Sequence, residues 1–192
     1  MKKVYFDSAA TTQLRSEVIR CISEVLKTEY GNPSSTHAYG RSAKHLNVSA
    51  SEIIFTSGGT EADNLILNSC VRDLGVTRII SSKIEHHAVL YAIKMLQEKY
   101  DVSVDYVKLD ECGHLDYDHL EELLKSSDKK TLVSLMHVNN EVGNVLEIDK
   151  VAKLCLQNDA LFHSDTVQSV GHYEVDFSET PIHFAAVAAH KF

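Results

Sequence analysis

From Glu52 onward, short apolar runs that suit strands alternate with segments of helical periodicity, and this alternation restricts the fold more than any other feature of the chain. Ile53-Ile54-Phe55-Thr56 is expected to form the first strand. Leu65, Leu67, Cys70, Val71 and Leu74 supply the buried stripe of the helix behind it. Arg78-Ile79-Ile80 predicts a strand, Val89 to Tyr100 a helix, and Val102 to Lys108 a strand. A helix around Leu120, Leu123 and Leu124 precedes the strand Leu132-Val133-Ser134-Leu135-Met136. A helix from Ile148 to about Gln157 precedes strands at Leu161-Phe162 and Phe184-Ala185-Ala186-Val187. Upstream, Val18, Ile19, Ile22, Val25 and Leu26 space as an amphipathic helix after Arg15, ending in an irregular loop from Tyr30-Gly31-Asn32-Pro33 to about Gly40. Strands this apolar, joined by helices, imply a mostly parallel sheet covered on both faces. Such sheets bind ligands beyond the carboxyl ends of their strands, so the polar residues just after each strand carry the functional information.

The 192 residues, 44% hydrophobic, can bury a sizeable core but are short for two full domains. A formal charge of −8 argues against a nucleic-acid-binding surface. No apolar run approaches the roughly 18 residues of a membrane span, and Asp7 interrupts any leader before an apolar stretch develops, so no membrane association and a cytoplasmic location are expected. Cys21, Cys70, Cys112 and Cys155 are widely spaced, which excludes a C-x-x-C pair and favours reduced thiols.

Five clusters stand at the expected strand ends. Ser57-Gly58-Gly59-Thr60 opens a helix, where glycines allow close backbone approach and the helix N-terminus offers free N–H groups, as in a phosphate cradle; an ordinary Ser or Thr N-cap is the plainer alternative. Glu85-His86-His87 places a histidine that could stack on a flat ring, carry a proton or simply enter a helix. His137-Val138-Asn139-Asn140-Glu141-Val142-Gly143 offers an uncharged amide donor, or only a turn. In His163-Ser164-Asp165-Thr166-Val167-Gln168, Asp165 suits a buried acceptor for a cationic N–H and Gln168 can reach the same ligand. His163 and Asp165 are expected on opposite faces of their strand, which disfavours a shared metal ion. Finally, Ala188-Ala189-His190-Lys191 sets a lysine where burial would depress its pKa toward the nucleophilic range. An anion cradle, a ring-stacking histidine, an amide donor, an acid and a lysine at one sheet edge are the parts that hold pyridoxal phosphate.

These residues, in this order, resemble the cysteine desulfurases of the NifS/IscS type, within the class V aminotransferases. The resemblance rests on Tyr5-Phe6-Asp7-Ser8-Ala9-Ala10-Thr11-Thr12, Gly31-Asn32-Pro33-Ser34-Ser35, Phe55 to Glu61, His137 to Gly143, His163 to Gln168 and His190-Lys191. It implies the large domain of the pyridoxal-phosphate-dependent transferase fold (aspartate aminotransferase type I), an α/β fold with a mostly parallel sheet and helices on both faces. Residues 46–192 would form that domain, cut short after the lysine, and 1–45 would contribute to a small domain and an active-site loop. By the same resemblance, Lys191 would carry the cofactor and shuttle protons. Asp165 would hold the pyridine nitrogen protonated, and His86 would stack on the ring. Gln168 would contact the phenolic oxygen, with Asn140 near the same edge and the substrate carboxylate; Gly59, Thr60 and His190 would bind phosphate. The reaction implied is L-cysteine to L-alanine, with persulfide sulfur passed to an acceptor protein for iron–sulfur cluster or thio-cofactor assembly, in a homodimer.

The chain departs from the family pattern at three places. Ala188 stands where the family has a phosphate-binding serine. The stretch from Tyr39-Gly40 to Glu52 is about three helical turns short. The sequence stops at Phe192, whereas the family continues into a half that carries the sulfur-accepting cysteine, to which none of the four cysteines here corresponds. A selenocysteine lyase or another class V enzyme is the neighbouring alternative. A cofactor-free scaffold for a full-length homologue, and a metal hydrolase using His86, His87, His137 and His163, are the alternatives from other classes.

Overall fold

The computed structural model describes Ser16, Arg20, residues 47–188 and Lys191. The helix expected after Arg15, apart from its residues Ser16 and Arg20, lies outside the described residues, as do the Tyr30–Gly40 loop, Cys21 and His190. Five strands, β1 (Arg78–Ser81), β2 (Ser103–Tyr106), β3 (Thr131–Ser134), β4 (Leu161–Asp165) and β5 (Phe184–Ala186), form one sheet in the order β2-β1-β3-β4-β5. Every neighbouring pair is parallel, with Ile80 opposite Val133, Val133 opposite Phe162 and Asp165 opposite Ala186. Helix α1 (Gly59–Arg72) precedes β1, and α2 (His87–Tyr100), α3 (Tyr117–Lys125) and α4 (Ile148–Gln157) join successive strands from β1 to β4.

Alternate strand residues face opposite sides of a sheet, and the sequence uses both sides. Ile79 and Leu132 pack with Leu67 and Cys70 of α1 and Val89, Ile93 and Leu96 of α2. Their neighbours Ile80 and Val133, with Phe162, pack with Leu120 and Leu124 of α3 and Val151, Ala152 and Cys155 of α4. The sheet is therefore sandwiched between two helical layers, and its strand order turns back between β1 and β3. This brings the carboxyl ends of β1, β3, β4 and β5 to one edge, where such folds bind ligands. None of the described helices is long and apolar enough to cross a membrane.

Two expectations fail. Ile53–Thr56 belongs to no strand: it is irregular, with Ile54 74% and Phe55 56% exposed. Its composition reports only that it would suit a half-buried pleated surface, and no adjoining strand supplies one among the described residues. On α1, Leu65 is exposed, as is Leu74 beyond the helix end, and the buried residues are Asp63, Leu67 and Cys70. Their i, i+4, i+7 spacing puts a carboxylate on the core-facing stripe.

Candidate functional site

At the carboxyl edge of the sheet, a cavity of about 220 Å³ gathers Gly59, Thr60, His86, Asn140, Asp165, Gln168 and Lys191, seven of the eight residues singled out in the sequence. Asp63, Met136, Val167 and Ala188 complete its wall.

Each part has a local cause. The Ser or Thr cap considered for α1 does not form: the N-cap is Gly58, in extended backbone, and no side chain caps the helix. Instead Thr56 Oγ1 donates to the Gly58 carbonyl at 3.0 Å, and the Ser57 N–H donates to Glu61 Oε2 at 2.5 Å. The first-turn N–H groups of α1 are thus left for an anion. A Cβ on Gly59 would stand 2.9 Å from Val167 Cγ2, so only glycine leaves this wall open. Gly59→Ala is expected to destabilise the fold by about 1–3 kcal/mol and to loosen any phosphate held there, which thermal melts and phosphate titration would measure together.

His86 enters a helix, one of the parts expected of it. Its Nδ1 accepts the Ala88 N–H at 3.1 Å, capping α2, while its ring lines the cavity. The two adjacent amides separate in role. Asn139 is buried and builds the hairpin closed by the Val138–Val145 bridge: Nδ2 donates to the Ile84 carbonyl at 2.7 Å, and Oδ1 accepts from the Glu141 and Val142 N–H groups, each at 2.9 Å. Asn140, at the hairpin tip, faces the cavity and donates to Glu141 Oε1 at 2.8 Å.

Asp165 ends β4, buried, with Oδ1 accepting the Val167 N–H at 2.9 Å. Burial, then the nearby Asp63 carboxylate, pushes its pKa up to about 6, against the pull of the Val167 N–H, His163 and His86. Thr166 ties this strand end to β5, its N–H and Oγ1 both donating to the Ala186 carbonyl at 2.9 Å. Lys191 is buried. Its N–H donates to the Ala188 carbonyl at 3.1 Å, and its own carbonyl accepts from His172 Nε2 at 2.8 Å, which fixes the turn that carries the lysine.

Three buried polar residues near the cavity take parts that the sequence reading did not assign to them. Asp63 is one, and its place on the buried stripe of α1 was the signal. Glu85, beside the flagged His86, is fully enclosed: Ser82 Oγ bonds Oε1 at 2.7 Å and the Met136 N–H donates to Oε2 at 2.9 Å, joining the ends of β1 and β3. Burial pushes its pKa up to about 8, so the folded chain holds a proton there that the unfolded chain has lost above about pH 4.5. Stability from this group is therefore lost as pH rises between those values. Glu85→Gln keeps the shape without the charge and is expected to raise stability above pH 8 by on the order of 1–3 kcal/mol, with little change near pH 5, in melts across pH.

The third is His163. Expected to face away from Asp165, it lies two residues earlier on β4 and so on the same side of the sheet. Its Nε2 is 3.3 Å from Asp63 Oδ1 and its Nδ1 is 2.9 Å from Ser134 Oγ. The set looks like a hydrolytic triad, but Ser134 and His163 are entirely enclosed and no substrate reaches them.

The other histidines diverge: His87 stacks on Tyr91 with ring centroids 5.1 Å apart, and His137 lies by Tyr173 at 6.0 Å in a separate cleft. Among the described residues, no three His, Cys, Asp or Glu side chains converge as metal ligands. Cys70 and Cys155 are buried, their thiols pushed up to about 12 by burial, and Cys112 is exposed in a turn.

Residues 4–192 match the family described as aminotransferase class-V. The chain belongs to the class-V aminotransferase family. Among relatives within it, the cysteine desulfurase IscS of Dictyoglomus turgidum is 39% identical over 205 residues, covering 100% of this chain and 51% of that protein. The mitosomal cysteine desulfurase of Trachipleistophora hominis is 35% identical, over 98% of this chain and 46% of its own length. The chain thus spans about half the length of these class-V relatives. In structure it is similar to a NifS-like protein (TM-score 0.86, 33% identity, 100% of this chain and 56% of that one) and to SspA in complex with cysteine (TM-score 0.82, 28% identity, 97% and 57%). Class-V enzymes depend as a family on pyridoxal phosphate.

Proposed function

We propose that the chain is the cofactor-binding portion of a pyridoxal-phosphate-dependent cysteine desulfurase. Residues 46–192 would form its large domain and 1–45 would contribute to a small domain. The observation that carries this reading is the buried carboxylate of Asp165 and the buried Lys191 on the walls of one cavity, beside an uncapped helix start. The residues fit the group in two respects. The Gly59 wall stays open only without a Cβ, and Asp165 is a buried acid, bonded to the Val167 N–H, whose charge suits a protonated ring nitrogen. Pyridoxal phosphate, when bound, supplies an aldehyde to capture the substrate amine and a ring that accepts the electron pair released at the substrate α-carbon.

The chain's own residues do the rest. Lys191 anchors the cofactor and carries the proton to and from that carbon. Asp165 keeps the ring nitrogen protonated, and His86, pinned as a helix cap, covers the ring face. Gln168 and Asn140 donate to the phenolic edge without adding charge. The first turn of α1, through Gly59 and Thr60, holds the phosphate, with His190 as a further contact. Substrate would be L-cysteine, product L-alanine, and the sulfur would leave as a persulfide on a thiol bound for an acceptor protein. A homodimer is part of the same reading.

Ala188 supports a weaker grip on the cofactor. Its methyl lines the cavity 3.9 Å from the position of a Gly59 Cβ, where the family pattern has a hydroxyl donor. Ala188→Ser is expected to tighten cofactor binding by about 1.5 kcal/mol, roughly tenfold, in spectroscopic titration.

The function is tested by supplying the native protein with pyridoxal phosphate, L-cysteine and a reducing thiol. Alanine and sulfide in equal amounts are expected. Bound cofactor without alanine would exclude the desulfurase, and alanine with selenide from L-selenocysteine only would favour a selenocysteine lyase. Absence of cofactor binding together with tight association to a full-length homologue would favour the scaffold.

A further inference from the structure

Behind Asp165 lies a buried acid–base pair that the proposed function leaves unused. Asp63, one turn into α1, and His163, on β4, are 1% and 0% exposed, and Asp63 Oδ1 stands 3.3 Å from His163 Nε2. Both atoms are sealed from solvent, and neither has a well-directed hydrogen bond from any described residue. Two bare acceptors do not face each other at that distance in a dry interior, so a proton lies between them. At the far side of the ring, Ser134 Oγ is 2.9 Å from Nδ1 and fixes the imidazole plane. Asp63 also reaches the cavity wall that Asp165 shares.

We propose that Asp63 and His163 are positioning residues that hold a shared proton behind Asp165, so that Asp165 is the carboxylate left negative toward the cofactor's ring nitrogen. This rests on the reading that Asp165 faces that nitrogen. The reason is charge. Two carboxylates in one dry corner do not both stay ionised without a counter-charge, and the proton settles on one of them unless a base nearby retains it. Asp63 pushes the Asp165 carboxyl up and His163 pulls it down. Among the described residues, the other titratable groups facing the corner are Glu85 and His86 just before α2 and Lys191 after β5; from β3, Ser134 and Met136 add none. Without His163, the proton passes to the carboxylate pair and Asp165 loses charge. Without both His163 and Asp63, Asp165 stands alone and regains it.

The test is a cycle of His163→Gln, Asp63→Asn and the double variant. It is read by the ring-nitrogen signal of ¹⁵N-labelled pyridoxal phosphate and by the histidine ¹⁵N spectrum of the cofactor-free chain. His163→Gln is expected to lower the ring-nitrogen titration by about one pH unit and to weaken cofactor binding about tenfold, while the double variant returns to within about threefold of wild type. In the cofactor-free chain, the histidine ¹⁵N spectrum is expected to show the His163 proton on Nε2, toward Asp63, and that signature is expected to change in Asp63→Asn. Equal impairment of His163→Gln and the double variant, or a His163 signal indifferent to Asp63→Asn, overturns the proposal. Should His163→Gln not fold, the cofactor-free spectrum of Asp63→Asn decides. If wild type takes up no pyridoxal phosphate, the proposed function fails, and the same spectrum still decides whether the shared proton exists.

Discussion

Lys191→Ala is expected to leave the fold in place and to weaken retention of pyridoxal phosphate at least about a hundredfold, a loss of ~3 kcal/mol. The lysine sits in a turn after β5, and that turn is held by main-chain groups: its N–H on the Ala188 carbonyl and its carbonyl under His172 Nε2. Removing the side chain touches neither bond, so the turn itself should persist. What disappears is the one amine that the described residues place on the cavity wall, and with it the proposed covalent attachment that would outlast gel filtration. Wild type should emerge from the column yellow and the variant colourless. A variant that keeps its colour would show that another group holds the cofactor.

The second large effect is expected at Asp165. An asparagine there preserves the volume and can still accept the Val167 N–H, but it supplies no charge for a protonated ring nitrogen. Breaking a buried charge pair in this way costs roughly 3–5 kcal/mol, so Asp165→Asn should lower cofactor-dependent turnover by two to four orders of magnitude. The pH dependence has a definite sign. Burial and the Asp63 carboxylate push Asp165 up to about 6, so below that value the side chain takes a proton and the pairing is lost. Cofactor binding to wild type should weaken as pH falls through about 6, and that limb should be absent in Asp165→Asn. Stability runs the other way. Between the ordinary aspartate range and about 6, the folded chain holds a proton that the unfolded chain has released, so this group's contribution is lost as pH rises. The cofactor-free variant should therefore melt no lower than wild type at pH 7. A lower melting temperature would recast Asp165 as a structural residue.

Much of this arrangement was legible from spacing alone. Helix α4 starts at Ile148 and ends at Gln157 as its periodicity predicts, and β2 and β5 fall within the runs that marked them, while β1 runs one residue past its run, to Ser81, and β3 starts one residue before its run, at Thr131. Those segments carry their own instructions, because one stripe or one run is buried on local neighbours. Ile53–Thr56 does not. Its residues favour a strand, but a strand exists only with a partner, and the sequence does not say whether one is beside it. The polar residues at the strand ends were found because the fold class dictates where ligands bind, and Gly59, His86, Asn140, Asp165, Gln168 and Lys191 do line one cavity. The groups behind them were harder to see. His163 was misplaced through the strand's period of two, and Asp63 was passed over because a carboxylate on an apolar stripe reads as a solvated residue until the packing is known. Glu85 gains its character only from Ser82 and the Met136 N–H, on two different strand ends.

The central claim is that this cavity seats pyridoxal phosphate with Lys191 as its anchor. Incubating the protein with the cofactor, reducing with borohydride and mapping the label by peptide mass spectrometry tests it most directly. A single phosphopyridoxyl group on Lys191 is the expected result; no label, or label spread over exposed lysines while Lys191 stays unmodified, would contradict it.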